Sequence, residues 1–171
     1  KWRAAYFVYS FHRTLPPEQG RQLVQAIEQH TGLVGIELKW LNNRWSRKLF
    51  HLRLGGQLAL AAHARFCVTD IYHLSVCAMT VGTPTYCVAQ AESTVQGTLN
   101  EAKKHALFEM IGLPHMLLTW GELWRQDLPM VFDGWERLTR SHEHWSARFQ
   151  AAQQQFRHRL DQALLTPARA G

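Results

Sequence analysis

Short runs of apolar residues, spaced as in strands or as in helices, divide the first part of the chain. Tyr6–Phe11 is aromatic and β-branched, which predicts a strand. Thr14 and Pro16 then predict the start of a helix, because a hydroxyl group caps a first turn and proline fits into it. Apolar residues continue at helical spacing as far as Ile27, and Gly32 ends the helix.

The next segment predicts a β-hairpin followed by a short helix. Leu33–Leu41 has apolar residues at alternate positions, and Asn42–Asn43 is typical of a turn. Trp45–Leu54 can return as a second strand, since apolar and polar residues alternate in it. After a pair of glycines, the alanine and leucine content of Gln57–Ala64 favours a helix.

The central segment predicts a second hairpin, a helix and a final strand. Ile71–Thr80 and Thr85–Ala91 are the two arms of the expected hairpin. Apolar residues then fall at helical spacing over Thr94–Ile111. Gly112 ends this helix, because glycine readily adopts the left-handed conformation of a helix end. The strand that follows opens at Pro114.

The end of the chain predicts helices. Trp120–Leu128 is expected to be a short helix, and Ser141–Leu165 a long one with an aromatic stripe. We expect this stripe to pack against the sheet, with dimerisation or docking on another protein as the alternative. The predicted fold is α/β, with α+β left open: a mixed sheet with flanking helices and a long C-terminal helix. Residues 1–165 would form one domain, with its core at 57–119, a helical extension at 120–165 and a disordered tail at 166–171.

Charge and cysteine content narrow the class of protein. The 171 residues carry a formal net charge of +6, which favours anionic partners: nucleic acid, an anionic membrane surface or an acidic protein. Cys67, Cys77 and Cys87 are spaced too widely for a C-x-x-C motif and lie in apolar segments, so we expect buried free thiols. Reduced cysteines favour a cytoplasmic protein. The sequence has no apolar run long enough to span a bilayer.

Polar residues around the central hairpin form the strongest candidate catalytic site. Gln90 and Glu92 are two residues apart on a predicted strand, so they share a face. Asp70 stands at the start of the neighbouring arm, and Lys103 and Lys104 follow on the predicted helix. Oxygen ligands in this arrangement suit Mg²⁺, which can activate water next to a phosphate. Asp70 and Glu92 are the predicted metal ligands.

Over residues 57–119 the chain resembles the PD-(D/E)XK nuclease superfamily, whose core is a helix, three strands, a helix and a strand. Thr69–Asp70 would stand for the Pro-Asp of that family, and Gln90–Glu92 for its acidic-x-Lys element. Threonine, glutamine and glutamate thus replace a proline, an acid and a lysine. The resemblance implies a metal-dependent nuclease with Asp70, Gln90 and Glu92 at its centre. Lys103 or Lys104 would replace the missing lysine. The alternative is structural: Asp70 caps a turn, and Glu92 caps the next helix.

The first predicted hairpin is a candidate nucleic-acid surface. Its basic side chains can neutralise phosphates, and its tryptophan can stack on a base. The candidate residues are Lys39, Arg44, Trp45, Arg47, Lys48 and Arg53. A solvated hairpin with its aromatic residues in the core is the alternative interpretation.

Other chemistry has little support in the sequence. Of the ten histidines, no two have the i, i+4 spacing of a helical zinc pair, and the chain has no Walker A, G-x-G-x-x-G or G-x-S-x-G motif. We therefore expect a nucleic-acid-binding domain, DNA being favoured over RNA, that resembles a degenerate nuclease with Mg²⁺ as its implied cofactor. The alternatives are a non-catalytic scaffold subunit, which could self-associate through the C-terminal helix, and a small-molecule enzyme with an unrecognised pocket.

Overall fold

The computed structural model describes residues 5–40, 47–89, 98–119, 121, 147, 149–155 and 158. Strands and helices alternate along these residues, and a 3₁₀ turn at Pro114–Met116 precedes the last strand. In chain order the elements are β1 (Tyr6–Ser10), α1 (Pro17–Thr31), β2 (Val34–Glu37), α2 (Arg47–His63), β3 (Cys67–Thr69), α3 (Tyr72–Thr80), β4 (Thr85–Ala89), α4 (Thr98–Met110) and β5 (Leu117–Thr119).

The five strands form one sheet in the order β2-β1-β3-β4-β5, and every neighbouring pair is parallel. Val8 in β1 pairs with Ile36 on one side and with Cys67 on the other. The α/β class is therefore confirmed, while the described strands are uniformly parallel and not mixed. The chain first winds from β1 to β2 and then crosses to β3. This reversal makes the crevice between β1 and β3 the switch point of the sheet, where open α/β folds bind ligands.

The predicted central hairpin is wrong, because its first arm is a helix. Residues 72–80 form α3, which buries Leu74 and Ala78 in one apolar cluster and Met79 in another. Parallel neighbours such as β3 and β4 need a crossover connection, and α3 supplies it. The described residues within 57–119 thus form a helix, a strand, a helix, a strand, a helix and a strand, which differs from the element order that the nuclease resemblance implies.

The predicted first hairpin is also corrected. β2 ends at Glu37, and α2 begins at Arg47, inside the segment expected to be the returning strand. The short helix predicted from Gln57 is the second half of α2, which runs through the glycine pair that suggested a break. Residues 41–46, which would hold the predicted turn, lie outside the described residues.

Two apolar clusters pack on the sheet. Neighbouring strand residues point to opposite faces, so Phe7 joins Leu23 and Ile27 of α1, whereas Val8 joins Ala61 of α2. The first cluster contains most of the large aromatic side chains, and the second is rich in alanine. The two layers of helices therefore fix β1 from both faces of the sheet, and with it the residues at its carboxyl end.

The C-terminal region is described only in part. Residues 149–155 are helical, and Phe149 and Ala152 are buried in the cluster that contains Phe7. This contact agrees with the expected packing of the C-terminal stripe against the body of the protein. The continuous helix predicted over 141–165 is not supported, and most of its residues lie outside the described ones. None of the described helices is long and apolar enough to cross a membrane.

Candidate functional site at the carboxyl edge of the sheet

Polar side chains join the carboxyl ends of β2, β1 and β3. Ser10, the last residue of β1, donates its hydroxyl hydrogen to the carbonyl of Leu38 at 2.7 Å. The hydroxyl of Thr69, the last residue of β3, donates to the carbonyl of Ser10 at 2.7 Å and accepts the N–H of Ile71 at 3.1 Å. Ser10 and Thr69 are completely buried. These bonds hold the strand ends in register at the switch point, where backbone groups leave the sheet ladder.

Asp70 organises the connection between β1 and α1, residues 11–16, which we call the switch loop. One carboxylate oxygen accepts the N–H of His12 at 2.9 Å. The other accepts three consecutive N–H groups, those of Arg13 at 2.9 Å, Thr14 at 2.6 Å and Leu15 at 3.0 Å. Asp70 is completely buried. A buried carboxylate is costly without such partners, so the four donors account for its presence.

Lys104 joins the switch loop to β4 and α4. Its ammonium group lies 3.1 Å from the Thr14 hydroxyl oxygen, 3.0 Å from the Val88 carbonyl oxygen and 2.9 Å from a carboxylate oxygen of Glu101. The side chain of Lys104 is 2% exposed and that of Glu101 14%. The charge of Lys104 is therefore matched by a carboxylate and two neutral acceptors. This cluster is a second anchor of the loop, through the Thr14 hydroxyl.

Several of the described side chains at this edge are exposed. His12 and Arg13 follow β1 on the switch loop, and His73 lies in the first turn of α3. Asp70 contacts the backbone of His12 and Arg13 and precedes α3 by two residues, so the loop and the start of α3 are close neighbours. Glu37, the last residue of β2, and Lys39 just after it are exposed as well. These exposed groups are thus two cations, two histidines and one carboxylate. Asp70 and Glu101, the acids next to the switch loop, are already bonded to donors, so the part of the edge around Arg13 suits an anionic ligand.

Burial makes the thiols of Cys67 and Cys87 poor nucleophiles, because a buried thiol ionises less readily. Burial raises the pKa of Cys87 to about 11, although Lys104 nearby lowers it. Burial raises the pKa of Cys67 still further. All three cysteines are free, and Cys77 is half-buried. The prediction of free thiols is therefore confirmed, and that of full burial holds for Cys67 and Cys87.

The structure assigns different roles to the residues of the predicted catalytic site. Asp70 does not fit a magnesium ligand, because both of its oxygens already accept backbone N–H groups. Its carboxylate instead caps the switch loop, 55–58 residues earlier in the chain, which is a structural role but not the local turn cap of the alternative interpretation. Lys104 is buried, whereas Lys103 on the same helix is exposed. Gln90 and Glu92 lie outside the described residues. Within the described part of the chain, no cluster of three or more His, Cys, Asp or Glu side chains could hold a metal ion.

The residues of the predicted nucleic-acid surface do not form one hairpin. Lys39 is exposed after β2, and Arg53 is exposed on α2. Arg47 and Lys48 open α2, so they lie on a helix and not on a strand. Arg44 and Trp45 lie outside the described residues.

Sequence reasoning missed most of the carboxyl-edge residues. Ser10, Thr14, Thr69 and Glu101 were not recognised as one group, because the sequence places them separately: Ser10 in a predicted strand, Thr14 at a predicted helix start and Glu101 on a later predicted helix. The available signal was a small polar residue at the last position of a buried strand, repeated in β1 with Ser10 and in β3 with Thr69. In a parallel sheet these ends share one edge, but the expected hairpin separated them.

Comparisons with protein-family models, with curated proteins and with solved structures found no match for this chain.

Proposed function

We propose that this domain binds a small anionic ligand, such as a phosphate ester, at the switch point of its sheet. The observation that carries the proposal is the switch loop itself. Four of its N–H groups are fixed on Asp70, while the side chains of His12 and Arg13 remain exposed at the carboxyl edge. Crevices at this position are the usual ligand sites of open α/β sheets.

The backbone N–H groups that Asp70 already binds determine how the domain would recognise an anion. Consecutive backbone N–H groups after the first strand often hold a phosphate in such folds. Here those of residues 12–15 are bonded to the carboxylate of Asp70. An incoming anion would therefore be recognised by side chains, with the guanidinium of Arg13 as the main charged donor and His12 and His73 beside it.

Titration of the whole chain with inorganic pyrophosphate at low ionic strength tests this proposal. We expect saturable binding that weakens as salt is added, because the exposed charges are screened. Arg13→Ala should weaken binding by about tenfold, as expected for one charge-assisted contact. His63→Ala is the matched control for His12→Ala. His63 is also exposed, but it ends α2 shortly before β3 begins, at the amino ends of the strands. Unchanged affinity in Arg13→Ala would contradict the proposal.

Nucleic-acid binding is a second candidate, supported by the formal net charge of +6 and by the exposure of Lys39 and Arg53. Its contacts would be to phosphates and would not involve a metal held by Asp70. Affinity for a short DNA duplex should fall steeply with rising salt, and further in the Arg44→Ala, Arg47→Ala double variant. Salt-independent affinity, or affinity that survives both substitutions, would reject this candidate.

A further inference from the structure

We infer that Asp70 is the positioning residue of the proposed anion site: its buried carboxylate serves as a resident anion around which the switch loop is built. The effect of Asp70 on ligand binding rests on the proposed function. The structural half of the inference, the anchoring of the loop by a carboxylate, can be tested separately.

The bonding pattern identifies Asp70 as the organiser of the loop. Its two oxygens accept the N–H groups of four consecutive residues, 12–15, at 2.6–3.0 Å. Four successive N–H vectors that converge on one point form a concave anion-binding nest. A side-chain donor also contacts the same loop: the ammonium group of Lys104 lies 3.1 Å from the Thr14 hydroxyl oxygen. The carboxylate therefore determines the path of the backbone that carries His12 and Arg13.

Asparagine at position 70 separates this role from simple electrostatics. Asparagine fills the same volume, but it can accept only through one oxygen and presents an NH₂ group to a backbone donor. Loss of a negative charge close to an anion site would by itself strengthen anion binding. Loss of the loop geometry would weaken it. The two roles thus predict opposite signs for the same substitution.

The binding experiment compares Asp70→Asn with wild type and with Glu28→Gln. Glu28 also accepts one backbone N–H, but from Gly35 in β2, so Glu28→Gln makes the same charge change away from the switch loop. We expect Asp70→Asn to weaken pyrophosphate binding about tenfold, the effect of one lost charged hydrogen bond, and Glu28→Gln to leave it unchanged. Equal or tighter binding in Asp70→Asn would overturn the positioning role.

Amide hydrogen exchange tests the anchoring without any ligand of the proposed site. The amides of residues 12–15 should be protected in wild type and should exchange at least tenfold faster in Asp70→Ala, a change expected when charged hydrogen bonds are lost. Sodium formate should restore their protection in Asp70→Ala, because its carboxylate can enter the emptied nest. Sodium chloride at equal ionic strength should not.

The outcomes separate the two proposals. Protection of residues 12–15 that is the same in Asp70→Asn, Asp70→Ala and wild type, or that formate does not restore, would overturn the anchoring by Asp70. If Asp70→Ala does not fold, the exchange rates of Asp70→Asn decide. Failure of wild type to bind pyrophosphate would instead reject the proposed function, and the exchange experiment would still decide the role of Asp70.

Discussion

Asp70 and Glu28 are two carboxylates that accept backbone N–H groups at different places on the sheet. Asp70 lies at the carboxyl ends of the strands, and Glu28 lies beside the outer strand β2. Asp70 is completely buried at the carboxyl edge and accepts four N–H groups of one loop. Glu28 on α1 is half-buried and accepts one, that of Gly35 in β2, at 2.8 Å. Both satisfy donors that the sheet ladder leaves unpaired. Only Asp70 has enough partners to determine a backbone conformation.

The surroundings of the two carboxylates also differ, since Asp70 belongs to a network of bonded side chains and Glu28 does not share it. Asp70 is connected through Thr14 to Lys104 and from there to β4. Glu28 lies beside β2, one of the two outer strands of the described sheet, where Val34 is 60% exposed. A bonded side chain over an outer strand hinders pairing with another chain. The comparison indicates a conformational role for the first carboxylate and a protective one for the second.

The largest expected effect is that of Asp70→Ala on stability. The substitution leaves four backbone donors without their acceptor, and the loop must find water for them. We expect the free energy of unfolding to fall by about 3 kcal/mol or more, and by roughly half as much in Asp70→Asn. Urea denaturation followed by circular dichroism measures this loss. A loss below about 1 kcal/mol in Asp70→Ala would mean that Asp70 contributes no more to stability than Glu28 does.

Lys104→Met tests the second anchor of the switch loop. Methionine keeps much of the buried volume but removes the charge that pairs with Glu101 and the donor to Thr14 and Val88. We expect a loss of about 2–3 kcal/mol, because one partner of a mostly buried ion pair is left alone. The matched control is Lys103→Met on the same helix, where the side chain is exposed and the expected change is below about 0.5 kcal/mol. Equal losses in the two variants would exclude a special role for Lys104.

The two anchors also show what local sequence signals can and cannot predict. The end of α4 was predicted correctly, because Gly112 adopts the left-handed conformation, with φ of 68°, that stops a helix. Asp70 as a turn cap was among the alternatives, since an acid directly after a strand favours a turn. Its partners are 55–58 residues earlier in the chain, so no local pattern could identify them.

The missed helix α3 has a physical explanation. Leu74 and Ala78 pack in the alanine-rich cluster, while Met79 is buried in the cluster that contains Phe7 and Val76 packs against it. A helix that contacts apolar groups on two sides loses the alternation of polar and apolar faces that marks a surface helix. The apolar run therefore resembled a strand. That error turned a parallel β-α-β unit into a hairpin and concealed the switch point.

The stability of the protein at alkaline pH tests how well Cys87 in β4 is shielded from water. The Cys87 pKa is about 11 in the folded protein and has an ordinary value of 9.0, which we assign to the unfolded chain. Between these values the folded state holds a proton that the unfolded state has released. The stabilising contribution is therefore complete below pH 9 and falls as pH rises, by about 2 kcal/mol at pH 11.

Urea denaturation at several pH values from 8 to 11, in wild type and in Cys87→Ala, isolates this contribution. The difference in stability between the two proteins should shrink as the pH rises, because alanine has no proton to lose. Other groups that titrate in this range affect both proteins alike. A difference that stays constant with pH would mean that the Cys87 thiol ionises equally well in both states.

The smallest expected effects are those at Glu28. Glu28→Gln retains an oxygen that can accept the N–H of Gly35, so the free energy of unfolding should change by less than about 0.5 kcal/mol. Glu28→Ala removes the acceptor and should cost about 1 kcal/mol. It also uncovers a backbone donor on an outer strand beside the exposed Val34, so sedimentation should detect weak self-association. If Glu28→Ala stays monomeric at high concentration, Glu28 contributes a single hydrogen bond and does not protect the edge. Glu28 would then differ from Asp70 only in the number of hydrogen bonds that it accepts.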